Sequence, residues 1–186
     1  MTELKKPIVI NLFAGPGTGK STSCAQIFAE LKQKHVNCEM VREFAKDKVW
    51  ENSIDVLNDQ IYIFGKQQHK MRVLIGNVDV IVTDSPILLS LIYDKSGNQN
   101  FRNLVHDVHK EFTSINFLLE REKPFNPKGR LQNEEKARLL DIKIKDLLNE
   151  LNVPFTIKKT NQTEISEISE IVLRALDAQT EYYHAK

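Results

Sequence analysis

A doubly wound α/β fold, with a five-stranded parallel sheet and helices on both faces, is predicted by three features of this 186-residue chain. Five short runs read as strands, and the first, Ile8, Val9, Ile10, Leu12 and Phe13, is of the kind buried on both faces of a parallel sheet. Segments of helical periodicity separate them, as crossovers between parallel strands require. The first run leads straight into the glycine-rich turn Ala14-Gly15-Pro16-Gly17-Thr18-Gly19-Lys20-Ser21-Thr22, and that turn opens a helix.

Taken in order, Ile8, Val9, Ile10, Leu12 and Phe13 make the first strand, within residues 7–13. Ser21, Cys24, Ala25, Ile27, Phe28 and Leu31 recur at helical spacing after the turn. Residues 35–41 read as a second strand ending at Arg42-Glu43-Phe44. A long, partly buried helix is expected over about 52–75, on the apolar positions Ile54, Leu57, Ile61, Ile63 and Phe64. The third strand, 78–83, ends at Asp84-Ser85-Pro86, with a helix starting near Pro86. A fourth strand at 115–119, a helix at 133–151, a fifth strand at 153–157 and a closing helix at 163–176 follow. The last helix carries Ile165, Ile168, Ile171, Val172 and Leu176 on one side, and the polar tail 177–186 is expected to fray.

With 41% hydrophobic residues the chain can build one well-buried core and is too short for two full domains, so one domain is expected over residues 1–186. A formal charge of +1 carries no global polyanion signature; contact with nucleic acid would need a local basic patch. Cys24 and Cys38 lack metal-ligand spacing and read as buried structural thiols. No run reaches the length of a membrane span, and residues 1–6 lack the apolar stretch of a signal peptide. A soluble cytoplasmic chain with no membrane partner is the expectation.

The turn has the chemistry of a phosphate-binding loop. Successive backbone N–H groups must converge on phosphate oxygens, which Gly15, Gly17 and Gly19 allow through unusual dihedrals and close approach. The helix N-terminus adds free N–H groups and a positive dipole end, Lys20 a cation for the β- and γ-phosphates, and Ser21 a hydroxyl for Mg²⁺. Gly15, Pro16, Gly17, Thr18, Gly19, Lys20, Ser21 and Thr22 are therefore the nucleotide-binding candidates. Ala14, another small residue, stands where the strict pattern has its first glycine.

Ligand sites in such sheets lie beyond the carboxyl ends of the strands. Asp84, at the end of the third strand, is placed to hold Mg²⁺ or its waters; the alternative is a helix cap, which Ser85 could provide equally well. Glu43, past the second strand, could take a proton from a hydroxyl attacking the γ-phosphate, or form a surface ion pair with Arg42. Whether Glu43 or Asp84 is the base stays open. Residues 120–132, a polar stretch with two prolines and one glycine, read as a lid in which Arg121, Lys123, Lys128 and Arg130 could stabilise the transferring phosphoryl group. Arg130 and Arg121 are the preferred cations; an ordinary solvated loop is the alternative. Trp50, Tyr62, Gln60, Gln67, Gln68 and His69 could stack on and read a base, though each alone suits packing or surface, and His106 with His109 lacks a third zinc ligand.

The stretch Ile10 to Thr22, then Val41-Arg42-Glu43-Phe44-Ala45-Lys46-Asp47, then Val78 to Pro86, resembles small bacteriophage P-loop kinases, above all the phage 5-hydroxymethyluracil DNA kinases grouped near thymidylate kinase. A wider likeness, to the kinase domain of bacterial ribosylnicotinamide kinases, rests on the Lys20 loop, Arg42-Glu43-Phe44 and the layout from Lys128-Gly129-Arg130 through Val153-Pro154. The resemblance implies a P-loop kinase fold and transfer of the ATP γ-phosphoryl group to the 5-hydroxymethyl oxygen of a modified pyrimidine in phage DNA, in the host cytoplasm. Gly15 to Thr22 would bind ATP, Ser21 would reach Mg²⁺, and Asp84 would serve the metal or the acceptor hydroxyl. A local patch of lid cations with Lys46, Lys48, Lys66 and Lys70 would have to meet the DNA. Two other readings share the loop: a kinase of a free nucleoside or nucleoside monophosphate, ribosylnicotinamide-like acceptors included, and an acceptor-independent NTPase switch. Against the switch, the chain has no Asn-Lys-x-Asp guanine-reading motif and is too short for the helical subdomain of a typical ring-forming ATPase.

Overall fold

The computed structural model describes residues 6–122 and 133–184. Its centre is β1, Ile8–Phe13, in which every residue is buried. β1 lies between β3 (Val80–Thr83) and β4 (Thr113–Glu120), with β2 (Cys38–Val41) outside β3 and β5 (Thr156–Lys159) outside β4. All pairs are parallel, in the order β2-β3-β1-β4-β5.

Helices cover both faces, which is why β1 shows no polar alternation. Ile8, Ile10 and Leu12 pack with Cys24, Ile27 and Leu31 of α1 (Lys20–Gln33) and with Ile165, Ile168 and Val172 of α7 (Gln162–His184). Val9 and Phe13 turn to the other face. They join Phe64 and Met71 of α3 (Gln60–Arg72), Phe101 and Val105 of α5 (Gln99–Lys110), and Ile144 and Leu148 of α6 (Glu134–Glu150). Cys24 and Cys38 are both buried free thiols, as expected. No helix among the described residues is long and apolar enough to cross a membrane.

Several elements differ from the sequence reading. The helix expected over 52–75 is instead three pieces: α2 (Phe44–Trp50), a 3-10 turn (Ile54–Asn58) and α3. Asn52 takes a left-handed conformation, φ 56°, and Asp59 caps α3 by accepting a hydrogen bond from the Tyr62 N–H at 3.0 Å. Short polar side chains that bond their own backbone thus outcompete the apolar spacing. Beyond Pro86 a 3-10 turn, Ile87–Leu89, and a single helical turn, α4 (Ser90–Tyr93), replace the expected helix, and α5 was not foreseen. β5 begins at Thr156 rather than at 153, because Asn152 turns at φ 52° and Pro154 cannot donate to a ladder. β2 begins at Cys38 after a left-handed His35, and α7 continues to His184 where fraying was expected from 177.

Candidate active site

The parallel order brings the carboxyl ends of β1, β2, β3 and β4 together, and polar groups follow each: the glycine-rich loop with Lys20 after β1, Arg42-Glu43 after β2, Asp84 after β3 and Arg121 after β4. In the loop the glycines do different work. Gly17 and Gly19 need their positive φ, 83° and 114°, and Gly19 is the residue from which α1 starts. Gly15 is required for space, since a Cβ there would lie 2.6 Å from both the Ala137 carbonyl oxygen and Asp141 Oδ1. Thr18 Oγ1 donates to the Gly15 carbonyl at 3.0 Å, bracing the turn. Lys20 Nζ donates to the carbonyls of Ala14 (2.7 Å) and Gly15 (3.0 Å). Burial pushes the Lys20 ammonium below its ordinary value, with Glu43, Asp84 and Asp141 opposing and Arg121 reinforcing the fall.

Asp84 is 4% exposed at the tip of β3. Its Oδ1 accepts the Glu43 N–H at 3.1 Å, so the ends of β2 and β3 are tied through the two acids. The helix-cap alternative is not seen, because Pro86 precedes the 3-10 turn without a side-chain cap. Glu43 flanks the start of α2, and the neighbouring Phe44 N–H donates to Gln67 Oε1 at 3.0 Å. Desolvation raises the Glu43 carboxyl above the usual range; Lys20 opposes this and Asp84 adds to it. Among the described residues no ion pair joins Glu43 to Arg42, which is exposed.

Ser21, Met40, Arg42, Glu43, Lys46 and Asp84 line a cavity of about 50 Å³. That is room for a cation with a few water oxygens, and too little for a nucleoside. The Ser21 hydroxyl and Asp84 carboxylate are hard oxygen donors, the set Mg²⁺ prefers, so the residues present fit that ion. Beyond Met40 and Arg42 a groove of about 420 Å³ continues along the edge of β2, lined also by Glu39, Asp47, Lys70, Val73 and Leu74.

Arg121 was expected in a lid, but it is 95% buried against the loop, its side chain 5% exposed. Its Nη2 donates to the Pro16 carbonyl (2.9 Å) and to Asp141 Oδ2 (3.0 Å), and Nε to the same Oδ2 (3.2 Å). The other Asp141 oxygen, Oδ1, accepts the Gly15 N–H at 2.6 Å. Sequence reading missed Asp141. The available signal was its place on α6, four residues after the buried Ala137 and three before the buried Ile144, where a carboxylate at the edge of the core face points to a partner. Arg130, Lys123 and Lys128, with most of the segment 120–132, lie outside the described residues.

The stacking candidates separate on inspection. Phe44 and Tyr62 meet edge to face, ring centroids 5.7 Å apart, with Lys48 and Lys70 near the Phe44 ring and Lys66 near Tyr62. Trp50 is 66% exposed, while Gln60 and Gln67 are buried and bond to backbone. His109 is buried in α5 beside His106, and burial pushes it down to about 4. Among the described residues no three His, Cys, Asp or Glu side chains cluster as metal ligands.

A phosphate loop on β1, a carboxylate at the tip of the adjacent β3 and this strand order define a P-loop kinase fold. The chain belongs to the AAA domain family, whose profile matches residues 9–164. Among solved structures it is similar to the deoxyadenosine kinase of M. mycoides with dCMP and a flexible dCDP bound, at a TM-score of 0.51 and 16% identity over 91% of this chain and 99% of that one. Weaker likenesses are to APE1195 (TM-score 0.47, 18% identity, 94% and 97% covered) and to the APS kinase CysC of Mycobacterium tuberculosis (0.41, 16%, 77% and 99%). No curated protein sequence matches the chain.

Proposed function

We propose that the chain is an ATP-dependent kinase that phosphorylates a hydroxyl of a pyrimidine nucleotide, most specifically the 5-hydroxymethyl group of 5-hydroxymethyluracil in phage DNA. The observation that carries the kinase reading is the pair of acids across an ion-sized cavity from Ser21, with Lys20 coupled to both. Glu43 acts as the base, because desolvation raises its proton affinity whereas Asp84 is already engaged by the Glu43 N–H. The acceptor hydroxyl gives its proton to the Glu43 carboxylate as its oxygen bonds to the γ-phosphorus; the bond from that phosphorus to the β-phosphate oxygen breaks, and ADP leaves. Lys20 and the loop N–H groups hold the phosphates, and Ser21 with Asp84 would hold Mg²⁺. A Mg²⁺ ion held there would supply electrostatic neutralisation of the phosphate charge. The acceptor enters along the groove beyond Arg42, which at about 420 Å³ has the size of a small-ligand site.

The DNA acceptor is supported by the likeness of residues 10–22, 41–47 and 78–86 to phage kinases and by the lysines gathered around Phe44 and Tyr62. A second reading, favoured by the fold shared with deoxyadenosine kinase, is phosphorylation of a free nucleoside or nucleoside monophosphate. Incubation with labelled ATP, Mg²⁺ and DNA with or without 5-hydroxymethyluracil, beside a panel of free nucleosides, separates the two. Label is expected in the modified DNA alone and is expected to vanish in Lys20→Ala. Label in free nucleosides but in no polymer establishes the second reading, and ATP hydrolysis indifferent to acceptor points to a switch.

A further inference from the structure

We infer that Asp141 is a positioning residue of the donor site, fixing Arg121 against the phosphate loop so that one guanidinium nitrogen is left for an anionic oxygen of the bound nucleotide. The inference rests on the proposed binding of a nucleoside triphosphate at residues 14–22. Asp141 stands at the edge of the core-facing stripe of α6, its side chain 28% exposed, where a carboxylate loses part of its hydration and needs partners for its oxygens. Both oxygens have them. Oδ1 takes the Gly15 N–H at 2.6 Å, and Oδ2 takes Nε and Nη2 of Arg121 at 3.2 and 3.0 Å. Nη2 also reaches the Pro16 carbonyl at 2.9 Å, so the guanidinium is held on two sides by the element after the 120–132 segment and by the loop itself.

What this leaves is informative. A guanidinium carries its donors in a rigid fork, and fixing Nε and Nη2 also fixes where Nη1 points. Nη1 is buried and has no hydrogen-bond partner among the described residues, although buried polar groups are nearly always satisfied. Arg121 also stands close enough to Lys20 to disfavour its charged form. Two cations beside one loop, one of them with an unanswered donor, form a site that is complete only with an anion between them. A phosphate oxygen of the nucleotide has that charge and accepts such a bond with the strength of a charge-assisted pair. Asp141 does not touch the nucleotide in this arrangement; it acts through Arg121.

Calorimetric titration with ATP and Mg²⁺ tests this without any acceptor. Asp141→Asn, which keeps an oxygen for the Gly15 N–H but loses the charge, should weaken ATP binding about tenfold, the scale of a charge-assisted hydrogen bond. Asp141→Glu should restore part of the loss, and turnover at saturating ATP should change less than the affinity. In an Arg121→Ala background, itself about tenfold weaker, Asp141→Asn should cost less than a further twofold. Arg121→Lys, which keeps the charge and loses the fork, covers the case in which Asp141→Asn does not fold and should also bind about tenfold less tightly. Unchanged affinity in Asp141→Asn or in Arg121→Lys overturns the inference, as do losses that add across the two backgrounds, since they assign Asp141 to the Gly15 N–H alone. Wild-type chain that binds ATP but phosphorylates no acceptor leaves the inference standing and overturns the proposed function; wild-type chain that binds no ATP overturns both.

Discussion

At the scale of single residues, what a side chain does depends on which groups surround it, and the sequence exposes this only where the backbone imposes a spacing. Lys20, Ser21 and the loop glycines were legible because a turn that aims successive N–H groups at a phosphate tolerates few alternatives. Asp84 was legible because it ends an apolar strand. Asp141 and the burial of Arg121 were not, since their partners lie 126 and 105 residues away, at Gly15 and Pro16. His109 is a further case: four residues after Val105 and three before Phe112, it falls on the apolar face of α5, a helix the sequence reading did not place. Burial holds its folded-state value at about 4, against 6.5 for a free imidazole. Between those values the unfolded chain binds a proton that the folded chain refuses. Stability is therefore full above about pH 6.5 and falls as the pH drops toward 4, by up to roughly 3 kcal/mol in all and about 2 kcal/mol by pH 5. Urea titrations at pH 7 and pH 5 should show a drop in the wild type that is about 2 kcal/mol smaller in His109→Gln; equal drops would mean that His109 is not the group responsible.

Elements were easier to foresee at the centre of the sheet than at its margins. β1 and β3 are buried on both faces, so composition alone marked them. β5 sits at the edge with mostly exposed residues, and the apolar Val153 that suggested an earlier start packs into the core from the turn instead. The region after β2 was misread for a different reason: Asn52 and Asp59 each divert the backbone, and a periodicity count weighs neither. The same capping chemistry starts α5, whose apolar positions Phe101, Val105 and Val108 recur at helical spacing but were not read as a helix. Asn98 Oδ1 accepts the N–H groups of Asn100 at 2.9 Å and Phe101 at 3.3 Å, and the helix it starts lays Phe101, Val105 and Val108 on the core. Replacing Asn98 with Ala should cost about 1 kcal/mol, the usual value of a lost N-cap, and lower the melting temperature by roughly 2–4 °C. Thermal unfolding measures this directly, and an unchanged midpoint would show that the core contacts of α5 specify its start without the cap.

For the molecule as a whole, charge bears on which acceptor it can hold. A net charge of +1 gives no long-range attraction for DNA, so a polymer needs a local basic patch, to which the lysines beside the groove contribute among the described residues. Two of these are partly committed: Lys48 pairs with Glu51 at 2.5 Å and Lys70 with Asp47 at 3.6 Å. Lys46, which lines the cavity beside Ser21, Glu43 and Asp84, and Lys66, beside the exposed Tyr62, have no such acid among the described residues. About two phosphates neutralised on a duplex correspond to a slope near −1.8 in log affinity against log salt. Raising salt from about 50 to about 200 mM should then raise the KM for modified DNA roughly tenfold, where a protein with many phosphate contacts would lose several orders of magnitude. A free nucleoside carries no counterions to release, so its KM should stay nearly flat over the same range. Lys46→Ala and Lys66→Ala together should flatten the DNA curve toward that of the nucleoside. A steep salt dependence that survives both substitutions would place the polymer on another face of the molecule.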